Sequence, residues 1–305
     1  MLSSNAKNDF EAQLKKLVVC VAVFGALSVT SAAAADLPRK APASLATTTS
    51  NWTGFYVGTG IGGGWMRSTN YTFADPGGAA EQSCGPCGPA YDSPPLSGGN
   101  KTGVFAGVRV GYNWWYAPTW LAGVEADGSW ASFKQSASGL LSNTPFVVPV
   151  PGSNLSFQTD VKWLASLRGR LGFVQNNWLI YGTGGVAFAS INFSANAQCP
   201  PPVPGGCGVF APQTGTTSPF SQTTVRVGFV LGGGVEWQLP GSHWRAQAEY
   251  LYYGFDQTTS ESSVFLAVPG GGPLPCHLTP PTCSANYSFG KIDIHTLKLG
   301  VAYAF

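Results

Sequence analysis

Gly58, Gly60 and Gly63, in the stretch "GFYVGTGIGGGW" (54–65), stand at G-x-G-x-x-G spacing. That is the sequence form of a dinucleotide-binding turn, where glycines let the backbone approach a pyrophosphate at a helix N-terminus. The motif requires a helix next. A Gly/Pro-rich connection follows Gly64 instead, so the nucleotide reading fails on its context. "CGPC" at 84–87 has the dithiol spacing of thioredoxin-like redox proteins. It sits in "DPGGAAEQSCGPCGPAYDSPPLSGGN", which supplies no helix N-terminus to lower a thiol pKa. His277 beside Cys276, with Cys283, is an incomplete zinc set. The remaining histidines, His243 and His295, have no serine nucleophile and orienting acid at readable spacing. The residue types with chemical potential therefore predict no catalytic site, no metal and no cofactor. The elements around them carry the information.

The first such element is N-terminal. Lys15 and Lys16 precede the apolar run "LVVCVAVFGALSVT" (17–30), and "SAAAAD" follows. Ala33-x-Ala35 before Asp36 fits a secretory signal cleaved between Ala35 and Asp36. The reading is a signal over 1–35, a Pro/Ala/Thr linker over 36–51 and one domain over 52–305. Removing 1–35 takes three of the 16 Lys/Arg and two of the 14 Asp/Glu, leaving a net charge of +1. That balance gives no reason to expect nucleic acid as a partner. Charged residues are only 10 % of the chain, against roughly 25 % in soluble domains. Yet no apolar run in the mature part approaches the ~20 residues of a membrane-spanning helix.

From Trp52 onward, eight apolar, glycine-bearing runs recur: 52–66, 102–115, 120–133, 159–175, 178–193, 223–239, 244–257 and 292–305. The connections alternate in length. Those over 67–101, 134–158, 194–222 and 258–291 are long; "YAPT", "NN" and "PGSH" are short. Short turns between apolar runs read as antiparallel hairpins. Within the runs the alternation has period two, the strand period. Trp244, Ala246, Ala248, Tyr250 and Tyr252 oppose Arg245, Gln247 and Glu249; Val225, Val227, Phe229 and Leu231 share the face opposite Arg226. Rings gather at the run ends: Trp52, Trp114, Trp115, Trp120, Trp163, Trp178, Trp237, Trp244 and Phe305. An apolar outer face with aromatic girdles suits a bilayer, and a sheet in hydrocarbon must close because unpaired edge groups cost several kcal/mol each. The expected fold is an all-β, eight-stranded, antiparallel up-and-down transmembrane barrel, with four long extracellular loops and three short periplasmic turns. It places the protein in the bacterial outer membrane, with outer-membrane lipid as a partner.

"NWTGFYVGTGIGGGW", "GVRVGYNWW", "YGTGGVAFA", "VGFVLGGGVEW", "AEYLYYGF" and "HTLKLGVAYAF" resemble, in order, strands of the outer-membrane beta-barrel family common among alphaproteobacterial surface proteins. The resemblance runs from Trp52 to Phe305. It implies a porin-like or OmpA-like surface barrel, and some relatives bind haem. Phe305, closing the pattern Leu297-x-Leu299-x-Val301-x-Tyr303-x-Phe305, resembles the terminal signal read by the barrel-assembly machinery. The last strand would be captured by β-augmentation, with Tyr303 and Phe305 as its anchors.

The lumen register holds Arg109, Lys162, Arg168, Arg170, Arg226, Arg245 and Lys298 against Glu125, Asp127, Glu236 and Glu249. Seven cations facing four anions must pair or stay hydrated. Two functions follow. One is a salt-bridged plug in a structural barrel that interacts through its loops with a host or envelope surface ligand. The other is a narrow, anion-favouring passive porin. A third class, a membrane-embedded lipid-modifying enzyme, would rest on His295, which lies near the outer end of the last run on its lipid-facing register. The mature cysteines form three local pairs, Cys84/Cys87, Cys199/Cys207 and Cys276/Cys283, and an even count in an exported chain predicts three disulfides inside loops.

Overall fold

Alternation makes each of the eight runs a strand, and the computed structural model closes them into a ring. It describes residues 52–74, 91–143, 148–149, 153–199, 215–263, 265–267, 274–275 and 284–305. The expected signal peptide, the expected cleavage pair Ala35 and Asp36 and the expected linker lie outside the described residues. So do Cys84, Cys87, Cys207, Cys276, His277 and Cys283, and of Cys199 only the backbone is described.

The barrel strands are β1 (Gly54–Met66), β2 (Lys101–Ala117), β3 (Trp120–Gly139), β4 (Asn154–Gln175), β5 (Trp178–Cys199), β6 (Gly215–Gln238), β7 (Trp244–Phe255) and β8 (Ile292–Ala304). Each pairs antiparallel with its sequence neighbours, and β8 returns to β1 from Tyr56↔Ala304 to Met66↔Ile294. Closure satisfies the backbone inside the bilayer, where no water can do so. The β4–β5 turn is Asn176–Asn177, with Asn176 in the left-handed region (φ 56°) that asparagine tolerates better than most residues.

Two features depart from the sequence reading. First, β3 to β6 reach 20, 22, 22 and 24 residues, whereas about 9–11 cross a membrane. Their outer halves project beyond the bilayer as a wall. Second, the long connections carry strands of their own. Thr258–Ser263, Ser284–Phe289, Asn70–Ala74, Tyr91–Asp92, Ser142–Asn143 and Val148–Pro149 pair in that order into a second sheet. This sheet faces the projecting wall. Phe193 and Phe289 rings lie 4.7 Å apart, Tyr71 and Phe157 5.1 Å, and the backbone NH of Ala197 donates to Tyr287 OH at 3.1 Å. The alternating pairs Tyr71/Phe73 and Tyr287/Phe289 bury four rings on one side of this sheet, and that burial holds the connections in place.

Candidate functional site

Period-two alternation aims every second side chain of a barrel strand inward. On β1 the inward positions are Tyr56, Gly58, Gly60, Gly62, Gly64 and Met66. The glycine row makes room. A Cβ at Gly58 would meet Arg109 Nε at 2.8 Å, and one at Gly60 would meet Lys298 Cγ at 3.1 Å and Leu299 O at 3.0 Å. The opening motif is thus a side-chain-free floor across which neighbouring cations lie.

Those cations enter one buried network. Arg168 on β4 is its hub, pairing with Glu125, with Asp127 at 2.9 Å and with Glu249 at 2.9 Å. Lys298 Nζ meets the other Glu249 oxygen at 3.0 Å. Arg170 reaches Glu236 at 3.0 Å and Glu125 at 3.3 Å, and Arg109 reaches Glu236 at 3.3 Å. Tyr56 OH donates to Glu125 at 2.7 Å, Tyr181 OH to Glu249 at 2.9 Å, and Gln247 to Tyr181. Arg245 lies over the Trp52 ring at 4.6 Å. Burial of so many charges is tolerated because most of them, Arg109, Arg168, Arg170, Glu125, Glu236 and Glu249, are paired more than once.

Two of the expected lumen residues are elsewhere. Lys162 is a bulge residue: β3–β4 pairing jumps from Trp130↔Trp163 to Phe133↔Val161, and the Lys162 side chain, 54 % exposed, points outward to Asp160 at 3.7 Å. Arg226 sits above the network and bonds the chain after β7, donating to Thr258 Oγ1 at 3.2 Å and to the carbonyls of Asp256 and Gln257. Among the described residues the lumen therefore holds five cations against four carboxylates. Trp52 is a third correction. It is fully buried under Arg245 rather than part of a girdle. Tyr56, Tyr181 and Ser166 also join the network; Ser166 shares the parity of Arg168, which signals it, whereas β1 and β5 carry no charged residue to mark Tyr56 and Tyr181.

Above the charges the lumen is apolar. Phe105, Phe133, Leu164, Val230, Leu251 and Ile294 are buried there, continuous with the rings beneath the second sheet. The charges expected on the inner face thus occupy only its lower half. Outside the membrane-spanning part, Tyr71 OH donates to Gln135 at 3.0 Å and lies 3.2 Å from Thr159 Oγ1. Burial pushes its phenol up to about 12, against the opposing effect of Thr159.

The outer face shows the membrane band directly. Ile61, Val104, Val108, Leu167, Ile180 and Leu299 are among its exposed apolar residues. Rings bound the band in pairs ten residues apart on one strand: Phe55 and Trp65, Trp120 and Trp130, Phe173 and Trp163. Ten residues of tilted strand span about 25 Å, the height of a lipid-facing band. Phe305, 67 % exposed, lies in the lower girdle against Tyr303 at 5.4 Å, and its NH donates to Phe55 O at 2.9 Å. His295 lies in the upper girdle, stacked on Trp65 at 5.0 Å, with Nδ1 2.6 Å from Tyr250 OH.

A closed ring, a lipid-facing band between two girdles and a filled lumen define an eight-stranded transmembrane β-barrel. The sequence profile of the outer membrane protein beta-barrel domain matches residues 21–305, and the chain belongs to that family. It is a protein of the bacterial outer membrane. Solved structures with a similar fold include the outer membrane protease OmpT of Escherichia coli (8 % identity, 82 % of this chain and 97 % of that one, TM-score 0.41). Others are OprG of Pseudomonas aeruginosa (9 %, 83 % and 97 %, TM-score 0.34) and Ail of Yersinia pestis, solved with the heparin analogue sucrose octasulfate (12 %, 82 % and 99 %, TM-score 0.29). No curated protein matches the chain in sequence.

Proposed function

We propose that the protein is a closed outer-membrane barrel with a structural and surface-interaction role in the cell envelope. The observation that carries this reading is the filled lumen. Arg109 and Glu236 meet across it, Arg168 ties three carboxylates together, and an apolar layer lies above them. Conduction needs a hydrated path with sites an ion can leave. The projecting wall and its facing sheet then supply the surface for an envelope or host ligand. Phe305 and Tyr303 serve the assembly machinery, and residues 1–35 direct export.

The second reading, a narrow anion-favouring porin, rests on the single surplus cation of the network. A lipid-modifying enzyme would use His295, but its contacts in the structure are Tyr250, Tyr252 and Trp65, which offer no activated nucleophile. A deletion strain separates the first two. Increased sensitivity to detergent with unchanged uptake of a small anionic solute supports the structural role. Reduced uptake through an intact envelope would support the porin.

A further inference from the structure

The bulge that removes Lys162 from the lumen places it somewhere specific. On the lipid-facing side of β3 and β4, Trp130 pairs with Trp163, and Trp130 is 75 % exposed. Directly above them, in the next part of the ladder, Lys134 pairs with Asp160, and Lys162 reaches Asp160 at 3.7 Å. Gln158 donates to the same Asp160 oxygen at 2.9 Å. The two tryptophans mark the edge of the hydrocarbon; Lys134, four residues beyond Trp130, stands at headgroup depth about 13 Å further along its strand, and Lys162, next to Trp163, extends its side chain toward Asp160 at that level. Bulges commonly re-aim a side chain, and this one turns a cation toward lipid.

The surrounding charge supports the placement. Arg67 and Lys291 lie just above Trp65 and His295 at the same edge, and both are exposed, Lys291 beside Asp293 at 3.6 Å. At the opposite edge, the turns over 116–119, 176–177 and 239–243 contain no Lys, Arg, Asp or Glu. Exposed positive charge is concentrated at the outer boundary of the membrane.

The geometry points to a lipid site: Lys134 and Lys162, over the Trp130–Trp163 pair, bind the phosphate of a phosphorylated glycolipid in the outer leaflet. The ammonium groups take the phosphate, the tryptophans pack against the lipid below, and Asp160 holds Lys162 while limiting the local charge to +1. Each lysine of such a surface contributes about fivefold to binding an anionic lipid.

The test uses the refolded full chain in detergent micelles, with bound lipid counted by native mass spectrometry. The probes are bis-phosphorylated lipid A, the same lipid after phosphatase treatment, and inorganic phosphate. The wild type retains the phosphorylated lipid roughly tenfold or more over the treated one. The Lys134→Gln/Lys162→Gln double variant loses that preference, and Asp160→Asn strengthens it. Lys134 and Lys162 are exposed, whereas Asp160 is buried beside them, so heat-modifiable migration is measured for every variant to confirm that it is folded. Equal retention of the two lipids by the wild type would overturn the site without recourse to any variant. Undiminished preference in the double variant, or displacement by equimolar inorganic phosphate, would overturn the assignment to a lipid phosphate at these lysines.

Discussion

Arg109 on β2 and Glu236 on β6 approach to 3.3 Å although their strands stand on opposite walls of the ring. A pair that spans the full diameter leaves no open axis at that level. Gly58 permits it, because any side chain there would collide with Arg109 Nε. The glycine row and the ion pairs are one device: absence of side chains on β1 gives long charged groups on other strands room to meet.

Replacing Arg168 by Met tests the hub. Three carboxylates lose their shared cation, and breaking a buried pair costs on the order of 3–5 kcal/mol. The urea midpoint of the folded, heat-modifiable band falls accordingly. Lys291→Gln, which removes an exposed partner of Asp293 at 3.6 Å, changes stability by less than about 1 kcal/mol.

Gly60→Leu blocks assembly, because its side chain meets Lys298 and the Leu299 carbonyl. Gly63→Ala serves as the control. Gly63 faces outward, and a Cβ there touches only Gly103 O at 3.7 Å. Outer-membrane fractions hold the Gly63 variant at wild-type level and little of the Gly60 variant.

Much of this architecture is legible in the sequence. Alternation in runs such as 244–257 fixed which residues face lipid, and the alternation of long and short connections fixed the strand order. Lys162 was misplaced because parity carries through a run only while the ladder is regular, and a bulge leaves no letter in the sequence. Trp52 precedes the first paired residue, so parity says nothing about it; its burial depends on Arg245, far along the chain. The second sheet was hidden for another reason. Tyr71, Phe73, Tyr287 and Phe289 alternate over too few residues, inside connections rich in Gly and Pro, to stand out as strands.

Tyr71 makes that second sheet sensitive to alkali. Its phenol titrates near 12 in the folded chain and near 10 when unfolded. The folded state therefore keeps the proton longer, its stabilising contribution is complete below pH 10, and it is lost as pH rises from about 10 to about 12. The difference in unfolding free energy between wild type and Tyr71→Phe should shrink or reverse across that window. A constant difference from pH 9 to pH 12 would contradict a buried phenol.

The loop cysteines and the export signal share one assay. Mass spectrometry of protein isolated from outer membranes should begin at Asp36 and link Cys84 to Cys87, Cys199 to Cys207 and Cys276 to Cys283. Cross-linked peptides joining different loops would refute the local pairing.

The central claim is that the lumen is closed, and planar-bilayer recording tests it most directly. Purified, folded wild-type protein should give no single-channel steps above the lipid background at moderate voltage. Reproducible ohmic steps from the folded wild type, with anion selectivity matching the surplus cation, would contradict a closed barrel.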